Sequence, residues 1–470
     1  MRGGLNCHAE IKFEDGVVWL ARFRILSAIA PPPEVRDYVL QSEAMTMQFL
    51  DRHTRVPSPR VFDWACESDP MNTIGVGYIL MEKLNGTSLN WQKATAAQKE
   101  KIVRQYVDIM LEIERHPFDQ LGSLIATTGF MSRDATQVTA VESQIQVGAL
   151  ADFTTFRSGD APPGSKEAFR VIVEENIRMV VTGEIGEAEQ ALDILLVHRF
   201  RLDVLNKMSE QTTTAEKGGE KFFLKHADEK GDHILVNADF DIIGIIDWEW
   251  CQTTSREEAF SSPCMMWPVG AFHDGSNELA EEELLLARVF REKGREDLAS
   301  CVLRGRKIQR FLFALHDGVA QLDEKTFASL FVGLKRAFDG RDVKTDAQAV
   351  EDEWEVWRAK ALEDWKHEAL FKSAIEANDR LAATHHVEAP IAESHTGPDS
   401  RPSCVFRNPE SAFLPKISRR HLEESICLPC GPVIGTTVAF QQLNKLEIAC
   451  SATGIFAAFI YRSHGMSAPI

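Results

Sequence analysis

The segment from His226 to Trp248 constrains the fold of this chain more than any other, because two short apolar stretches in it are framed by acidic residues. His226-Ala-Asp228 precedes the apolar stretch that starts at Ile234; a polar turn follows, and a second apolar stretch ends at Asp247. Short apolar runs separated by turn residues predict two strands of a hairpin. The pattern therefore predicts Asp228 in the loop before the hairpin and Asp247 at its end.

The bulk composition is that of a globular protein large enough for two lobes. The chain has 470 residues, 44% hydrophobic and 26% charged, and a formal net charge of -18. This acidity argues against nucleic acid or an anionic membrane as a partner, because both bind basic surfaces. It suits a cationic or neutral small molecule, and it does not indicate an oligomeric state.

The cysteines and the apolar segments predict a soluble, cytoplasmic protein. Nine cysteines without regular spacing are typical of reduced thiols and not of a disulfide framework. Cys427-Leu-Pro-Cys430 lacks the second pair of ligands that a zinc site needs. Residues 2–15 lack the apolar run of a signal peptide, and the apolar stretch 448–461 is too short for a bilayer.

Hydrophobic periodicity divides the chain into three parts. Residues 1–88 form a small α+β lobe, with two strands over residues 9–24 joined at Glu14-Asp15-Gly16, a helix over 34–53, and strands at 61–66 and 77–82. Residues 89–383 form a mainly helical lobe. Its predicted helices begin near residue 95 and cover residues 166–182, 187–210, 278–293, 295–322, 325–337 and 348–370, and residues 126–163 are expected to be irregular.

The third part, residues 384–470, is rich in His, Pro and Ser and has no helical periodicity. This composition predicts a poorly ordered appendage. A small β-rich addition is the alternative.

The two aspartates of the hairpin segment suit phosphoryl transfer from ATP, which uses one carboxylate near the acceptor hydroxyl and another for Mg²⁺. Asp228 is the candidate base, with His226 bracing its loop through backbone hydrogen bonds and Lys230 placed to reach the transferred group. Asp247 is the candidate magnesium ligand, because Mg²⁺ prefers carboxylate oxygens. Turn or helix capping is the ordinary explanation of two such aspartates, but the flanking strands and Trp248-Glu-Trp favour a site.

Phe223-Leu-Lys-His226-Ala-Asp228 through Ile246-Asp247-Trp-Glu249 resembles the aminoglycoside phosphotransferase and choline kinase family, in particular its fungal branch. The family motif has His-Gly-Asp, an Asn five residues later, and Ile-Asp-Trp-Glu. The resemblance continues through Gly122-Ser-Leu124 and residues 259–263 to the helices near residue 370. It implies an α+β, protein-kinase-like bilobal fold with a sheet-containing N-lobe, a larger helical C-lobe, and ATP and Mg²⁺ in the cleft. The implied acceptor is a small-molecule hydroxyl.

The resemblance also implies roles for residues before the motif. Arg22 matches the position where the family has a phosphate-contacting Lys, and Glu43 matches the partner of that Lys. Gly3-Gly4 resembles the end of the phosphate loop. Three residues fall where the hinge would hold adenine: Met81, Glu82 and Leu84.

Three departures from the family pattern affect the expected site. Position 233 is His instead of the metal-binding Asn, and an imidazole is a poorer Mg²⁺ ligand than an amide oxygen, although Asp232 could substitute. Arg22 binds phosphate as a fork and not as a point charge. The chain starts inside the expected phosphate loop, so the strand before that loop is expected to be missing.

Other classes of protein remain open at this point. A protein kinase also has His-x-Asp-x-Lys, but Trp248 and Glu249 stand where Phe-Gly is expected. A non-haem iron oxygenase would use His226, Asp228 and a distant His273, but its fold needs strands where this chain is helical. A pseudokinase-like module that binds a nucleotide or a partner without phosphoryl transfer is the main alternative, and His233 and the expected truncation of the phosphate loop favour it.

Overall fold

A computed structural model describes residues 6–25, 31–127, 145–151, 164–184, 190–209, 219–313, 322–340, 347–372 and 374–375. Gly3, Gly4, Cys427, Cys430 and the expected appendage over residues 384–470 lie outside these ranges.

The N-terminal lobe is a four-stranded antiparallel sheet with one long helix packed against it. Its elements are β1 (Asn6–Lys12), β2 (Val18–Arg24), α1 (Pro33–His53), β3 (Val61–Ala65) and β4 (Tyr78–Glu82), and the strand order is β1-β2-β4-β3. The predicted turn between the first two strands is confirmed, with Gly16 at φ 86°. The predicted helix over residues 34–53 is confirmed as well, and its stripe of Val39, Glu43 and Met47 is buried.

The chain then crosses into the helical lobe through β5 (Thr87–Ser88) and α2 (Ala96–Glu114). Thr95 and Gln98 form a capping box that fixes the start of α2. The apolar face predicted for this helix is confirmed, because Ile102, Val103, Tyr106, Val107 and Met110 are buried.

The remaining elements follow in chain order: β6 (Leu124–Ala126), β7 (Ile145–Val147), α3 (Ser165–Val181), α4 (Ala191–Ser209), β8 (Phe222–Lys225), β9 (Ile234–Val236), β10 (Ile242–Ile245), β11 (Gln252–Ser255), α5 (Arg256–Ala259), α6 (Val269–His273), α7 (Glu281–Glu292), α8 (Glu296–Leu303), α9 (Arg306–Phe313), α10 (Glu324–Asp339) and α11 (Ala347–Trp365). Three small antiparallel sheets accompany the helices: β10-β9-β5, β11-β8 and β6-β7. Strands β9 and β10 form a hairpin, termed the central hairpin. Because β5 pairs with β9, the segment that leaves the N-terminal sheet is hydrogen-bonded to this hairpin.

Two predictions for the helical lobe are wrong in detail. The single helix expected over residues 295–322 is broken between α8 and α9, where Arg304 ends the helical conformation and Gly305 follows. The region over residues 126–163, which was expected to be irregular, contains β7 and the last residue of β6, and these two strands pair with each other. Short strands of three residues carry too weak an alternation to be recognised in a sequence.

The architecture is therefore α+β, with a small sheet-containing N-terminal lobe and a larger, mainly helical C-terminal lobe, as predicted. One apolar core joins α1, α2 and the central hairpin to α7 and α8, and a second packs α3 and α4 against α9, α10 and α11. Among the described residues, no helix combines the length and the hydrophobicity of a membrane-spanning segment.

Candidate active site

One aspartate precedes the central hairpin in the sequence, and another follows it. Strands β9 and β10 pair antiparallel, and the side chain of Asn237 accepts hydrogen bonds from the Asp239 and Asp241 amides in the turn between them. Asp228 lies in the loop between β8 and β9, and Asp247 follows β10. Asp247 has φ 66°, a conformation that non-glycine residues seldom adopt outside turns and functional sites.

His226 connects the two aspartate loops. Its Nδ1 accepts a hydrogen bond from the Asp228 amide at 3.1 Å, so Nε2 carries the proton and donates to the Ile246 carbonyl at 2.9 Å. Its ring also stacks on His233, with ring centroids 4.4 Å apart, and meets Trp248 edge-on. A backbone link of this kind fixes the spacing between the loop that carries Asp228 and the strand end that carries Asp247.

Asp228 and Lys230 form an ion pair at the surface of the loop. Lys230 Nζ lies 2.5 Å from Asp228 Oδ2, and both side chains are partly exposed. Burial raises the pKa of Asp228 above its ordinary value, and Lys230 offsets only part of that effect. Burial alone would lower the pKa of Lys230, but the pair with Asp228 raises it. A carboxylate whose pKa is raised towards neutrality is a better proton acceptor.

Glu229 lies on the opposite side of this loop and points into the protein interior. The sequence alone indicated no role for it. Its carboxylate accepts a hydrogen bond from the Tyr106 hydroxyl at 2.7 Å and pairs with Lys225 Nζ at 2.5 Å. Its carbonyl accepts from the Met265 amide at 3.0 Å. A buried tyrosine hydroxyl on the predicted apolar face of α2 was the available signal, because such a group needs a polar partner.

Asp247 is paired with Arg22 of the N-terminal lobe, 225 residues away in the sequence, at 2.7 Å. Its side chain is nevertheless 53% exposed. Burial would raise the pKa of Asp247, but Arg22, together with smaller contributions from His226 and His8, holds the pKa below its ordinary value. Asp247 is therefore ionised at neutral pH and retains an open side.

Arg22 is the centre of a buried charge cluster that joins the two lobes. It pairs with Glu43 on α1 and, at 2.7 Å, with Glu249. Burial alone would lower the pKa of Arg22, but Glu43 and Asp247 raise it. Arg24 also pairs with Glu249. The resemblance implied the Arg22–Glu43 pair, whereas Glu249 appeared in the sequence motif without a role.

Burial raises the pKa of Glu43 to about 7, although Arg22 opposes the shift. The cluster holds three carboxylates and two guanidinium groups, and Glu43 is its most buried carboxyl group.

His233 and Asp232 have opposite environments. His233 is buried, its Nδ1 accepts from the Gly231 amide at 3.3 Å, and its Nε2 has no hydrogen-bond partner among the described residues. Burial lowers the pKa of His233 well below its ordinary value, so the ring is neutral. Asp232 is exposed. Within the described ranges, no group of three or more His, Cys, Asp and Glu side chains is arranged to hold a metal ion.

The residues expected at the hinge lie at the end of β4 and just beyond it. Met81 is buried, opposite Leu20 on β2. The Glu82 amide donates to the Arg60 carbonyl at 2.8 Å, so this N–H is already used within the sheet. Leu84 packs on Gly244, where a side chain would collide with it.

Comparison with known proteins gives limited matches. No protein-family model matches the chain. Two curated relatives, both described as subtelomeric hrmA-associated cluster proteins of Aspergillus fumigatus strains, are 33% identical over 127 and 124 residues. These matches cover 27% and 26% of this chain, and the chain spans about a quarter of the length of these relatives (24% and 23%).

Three solved structures illustrate the structural likeness. A GDP complex of an aminoglycoside 2'-phosphotransferase is 14% identical, with a TM-score of 0.37, covering 82% of this chain and 91% of its own. An ADP-bound aminoglycoside phosphotransferase is 11% identical, with a TM-score of 0.41, covering 71% and 95%. An ethanolamine kinase of Plasmodium vivax is 11% identical, with a TM-score of 0.42, covering 71% and 78%.

The chain's own topology defines its fold. Arg22 on a strand of the N-terminal sheet pairs with Glu43 on the adjacent helix, and the loop that carries Asp228 precedes a hairpin that is followed by Asp247. Protein kinases also have a strand cation paired with a helix glutamate, together with an aspartate that binds their metal ion. The chain has an α+β, protein-kinase-like bilobal fold, and it resembles the aminoglycoside phosphotransferase and choline kinase family.

Proposed function

We propose that this protein is an ATP-dependent phosphotransferase that acts on the hydroxyl group of a small molecule. The observation that supports this most is the contact of Arg22 with both Glu43 and Asp247. One cation thereby connects the N-terminal sheet, the helix behind it and the end of the central hairpin. In kinases this combination orients the phosphates of the nucleotide.

In this proposal Asp228 accepts the proton of the acceptor hydroxyl. Its raised pKa and partly exposed carboxylate suit that role. Lys230 neutralises negative charge beside Asp228 and would contact the transferred group. His226 holds the Asp228 loop at a fixed distance from Asp247 through its two backbone hydrogen bonds.

The carboxylate of Asp247 suits the binding of a magnesium nucleotide, whereas the imidazole of His233 does not. Mg²⁺ is commonly bound by one or two carboxylates together with phosphate oxygens, and Asp247 is an ionised carboxylate with an open side. His233 is buried and offers nitrogen instead of oxygen. We therefore assign the metal role to Asp247, with the exposed Asp232 as the candidate second ligand. When bound, the magnesium nucleotide would supply the phosphoryl group.

ATP would lie between the lobes, with its adenine beside Met81, Glu82 and Leu84 and its phosphates near Arg22. The Glu82 amide is engaged by Arg60, so adenine recognition falls to other backbone groups of this segment. A cytoplasmic location belongs to the same proposal, because ATP is available there. The free thiols of the described cysteines suit that reducing compartment.

A pseudokinase-like module that binds a nucleotide or a partner without transferring phosphate is the second candidate. The buried, neutral His233 favours it, because this position holds the metal-binding Asn in the family that the chain resembles. The Asp228–Lys230 pair favours the enzyme, since a module that only binds has no need of a base.

ATP turnover against a panel of amino alcohols, sugars and aminoglycosides separates the two candidates. We expect acceptor-dependent ADP release with at least one class of acceptor. Nucleotide binding without turnover on any acceptor would favour the module.

A further inference from the structure

Glu249 lies two residues after Asp247 and is turned towards the N-terminal lobe. It is buried, with 7% of its surface exposed. Both Asp247 and Trp250 have positive φ angles, 66° and 64°, so the backbone turns sharply on either side of Glu249. A strained turn that buries a carboxylate requires compensating interactions.

Those interactions come from three side chains of the first two strands. Arg22 Nη2 donates to Glu249 Oε2 at 2.7 Å, and Asn6 Nδ2 donates to the same oxygen at 3.0 Å. Arg24 pairs with the other oxygen, Oε1. Both carboxylate oxygens of Glu249 are thus hydrogen-bonded, and Glu249 connects β1 and β2 to the loop that carries Asp247.

The three carboxylates around Arg22 differ in exposure. The side chains of Glu43 and Glu249 are 5% and 8% exposed, whereas that of Asp247 is 53% exposed. A buried carboxylate that loses its cation is strongly destabilised, but an exposed one is solvated by water. Asp247 is therefore the exchangeable partner of Arg22, and Glu43 and Glu249 are the fixed partners.

Glu249 pairs with two cations, Arg22 and Arg24. Arg22 and Arg24 lie on the same face of β2, and burial together with the charge of Arg22 lowers the pKa of Arg24 to about 10. A carboxylate placed between the two guanidinium groups screens their mutual repulsion. Arginine suits this geometry because one planar fork can contact several oxygens at once, which a lysine ammonium cannot do with the same directionality.

We propose that Glu249 is a positioning residue for Arg22: with Glu43 it keeps the guanidinium in place when Asp247 turns from Arg22 to a cation-bound triphosphate. The inference depends on the proposed function, because it assigns Arg22 to nucleotide phosphates. Glu249 itself contacts neither the nucleotide nor the acceptor in this account. Its effect passes through Arg22.

The test compares the affinities of Glu249→Gln and wild type for MgATP and for adenosine, by isothermal titration calorimetry. Glutamine keeps the size of the side chain and an acceptor for Asn6 but removes the charge. We expect about a tenfold loss of MgATP affinity, the effect of losing one charge-assisted contact. Adenosine lacks phosphates, so its affinity should be unchanged.

Two further variants define the outcome. Glu249→Asp keeps the charge but shortens the reach, and it should lose MgATP affinity to a smaller extent; it serves as the test if the Gln variant does not fold. Glu67→Gln is the matched control, because Glu67 pairs with Arg36 at 2.6 Å in the same lobe and has no contact with Arg22 among the described interactions. It should bind MgATP as wild type does.

Unchanged MgATP affinity in both Glu249 variants would overturn the inference. So would equal losses for MgATP and adenosine, which indicate a general structural role. If wild type binds neither MgATP nor adenosine, the proposed function itself fails, and the inference fails with it.

Discussion

Asp228 and Asp247 are chemically identical side chains placed in opposite electrostatic environments. Burial raises the pKa of Asp228, while Arg22 lowers that of Asp247 against the effect of burial. Pairs of carboxylates whose pKa values are driven apart are typical of sites where one group handles a proton and the other stays charged. The roles we propose follow this division: Asp228 as base and Asp247 as cation ligand.

Asp228→Asn tests the role of the base. We expect kcat to fall by about 10²–10⁴, the usual contribution of general base catalysis, with nucleotide affinity retained. In wild type, kcat/KM should rise with pH through the pKa of Asp228, because only the ionised form accepts a proton. Since that pKa is raised, the acidic limb should lie above the ordinary range of aspartate.

A pH–rate profile and a calorimetric titration check this prediction. Asp239→Asn is the control, because Asp239 is an exposed aspartate in the hairpin turn. An Asp228→Asn variant with wild-type kcat would remove Asp228 from the mechanism.

At the scale of single elements, helix α2 and the loop after β8 depend on each other. Tyr106 reaches from α2 to Glu229, which is adjacent to Asp228, and the interaction spans 123 residues of sequence. The periodicity of α2 predicts which face is buried but not which loop covers it. For the same reason the sequence identified Glu249 as part of a motif without revealing its partners, Arg24, Arg22 and Asn6, which lie 225, 227 and 243 residues away.

Tyr106→Phe should lower the free energy of unfolding by about 1–3 kcal/mol, because it removes a hydrogen bond to a buried carboxylate. It should also lower kcat, since Glu229 no longer fixes the Asp228 loop as firmly. Chemical denaturation and steady-state kinetics measure the two effects. Tyr38→Phe is the matched control: its hydroxyl donates to the Ala149 carbonyl at 2.6 Å, away from the loop, so kcat should not change. Tyr106→Phe with wild-type stability and kcat would refute the link.

At the scale of the whole molecule, the sequence predicted the two lobes and most long helices because their periodic patterns extend over many residues. The break between α8 and α9 and the short pair β6–β7 were not predicted, since neither leaves a long pattern. The resemblance led to Arg22 and Glu43, whose pairing the structure shows. The roles assigned to Asp228, Lys230 and Asp247 remain predictions.

The charge cluster between the lobes should give the molecule a characteristic pH dependence of stability. The pKa of Glu43 is about 7 in the folded protein, against an ordinary value of 4.5. Between these values the folded state holds a proton that the unfolded state has lost. The contribution of Glu43 to stability is therefore fully present below about pH 4.5 and is lost as pH rises through about 7.

Glu43→Gln should remove this dependence. One titrating group changes the free energy of unfolding by at most about 1.4 kcal/mol per pH unit. Wild type should therefore lose stability relative to the variant as the pH rises from about 4.5 to about 7. Urea denaturation at several pH values measures the difference. A constant difference between wild type and variant at every pH would contradict the expectation.

The most direct test of the central claim is the effect of Mg²⁺ on ATP affinity in wild type and in Asp247→Asn, measured by calorimetry. If Asp247 and Arg22 together hold a magnesium nucleotide between the lobes, Mg²⁺ should tighten ATP binding to wild type by about tenfold or more. It should leave binding to Asp247→Asn unchanged. ATP binding to wild type that is indifferent to Mg²⁺, or a full Mg²⁺ effect in Asp247→Asn, would contradict the account.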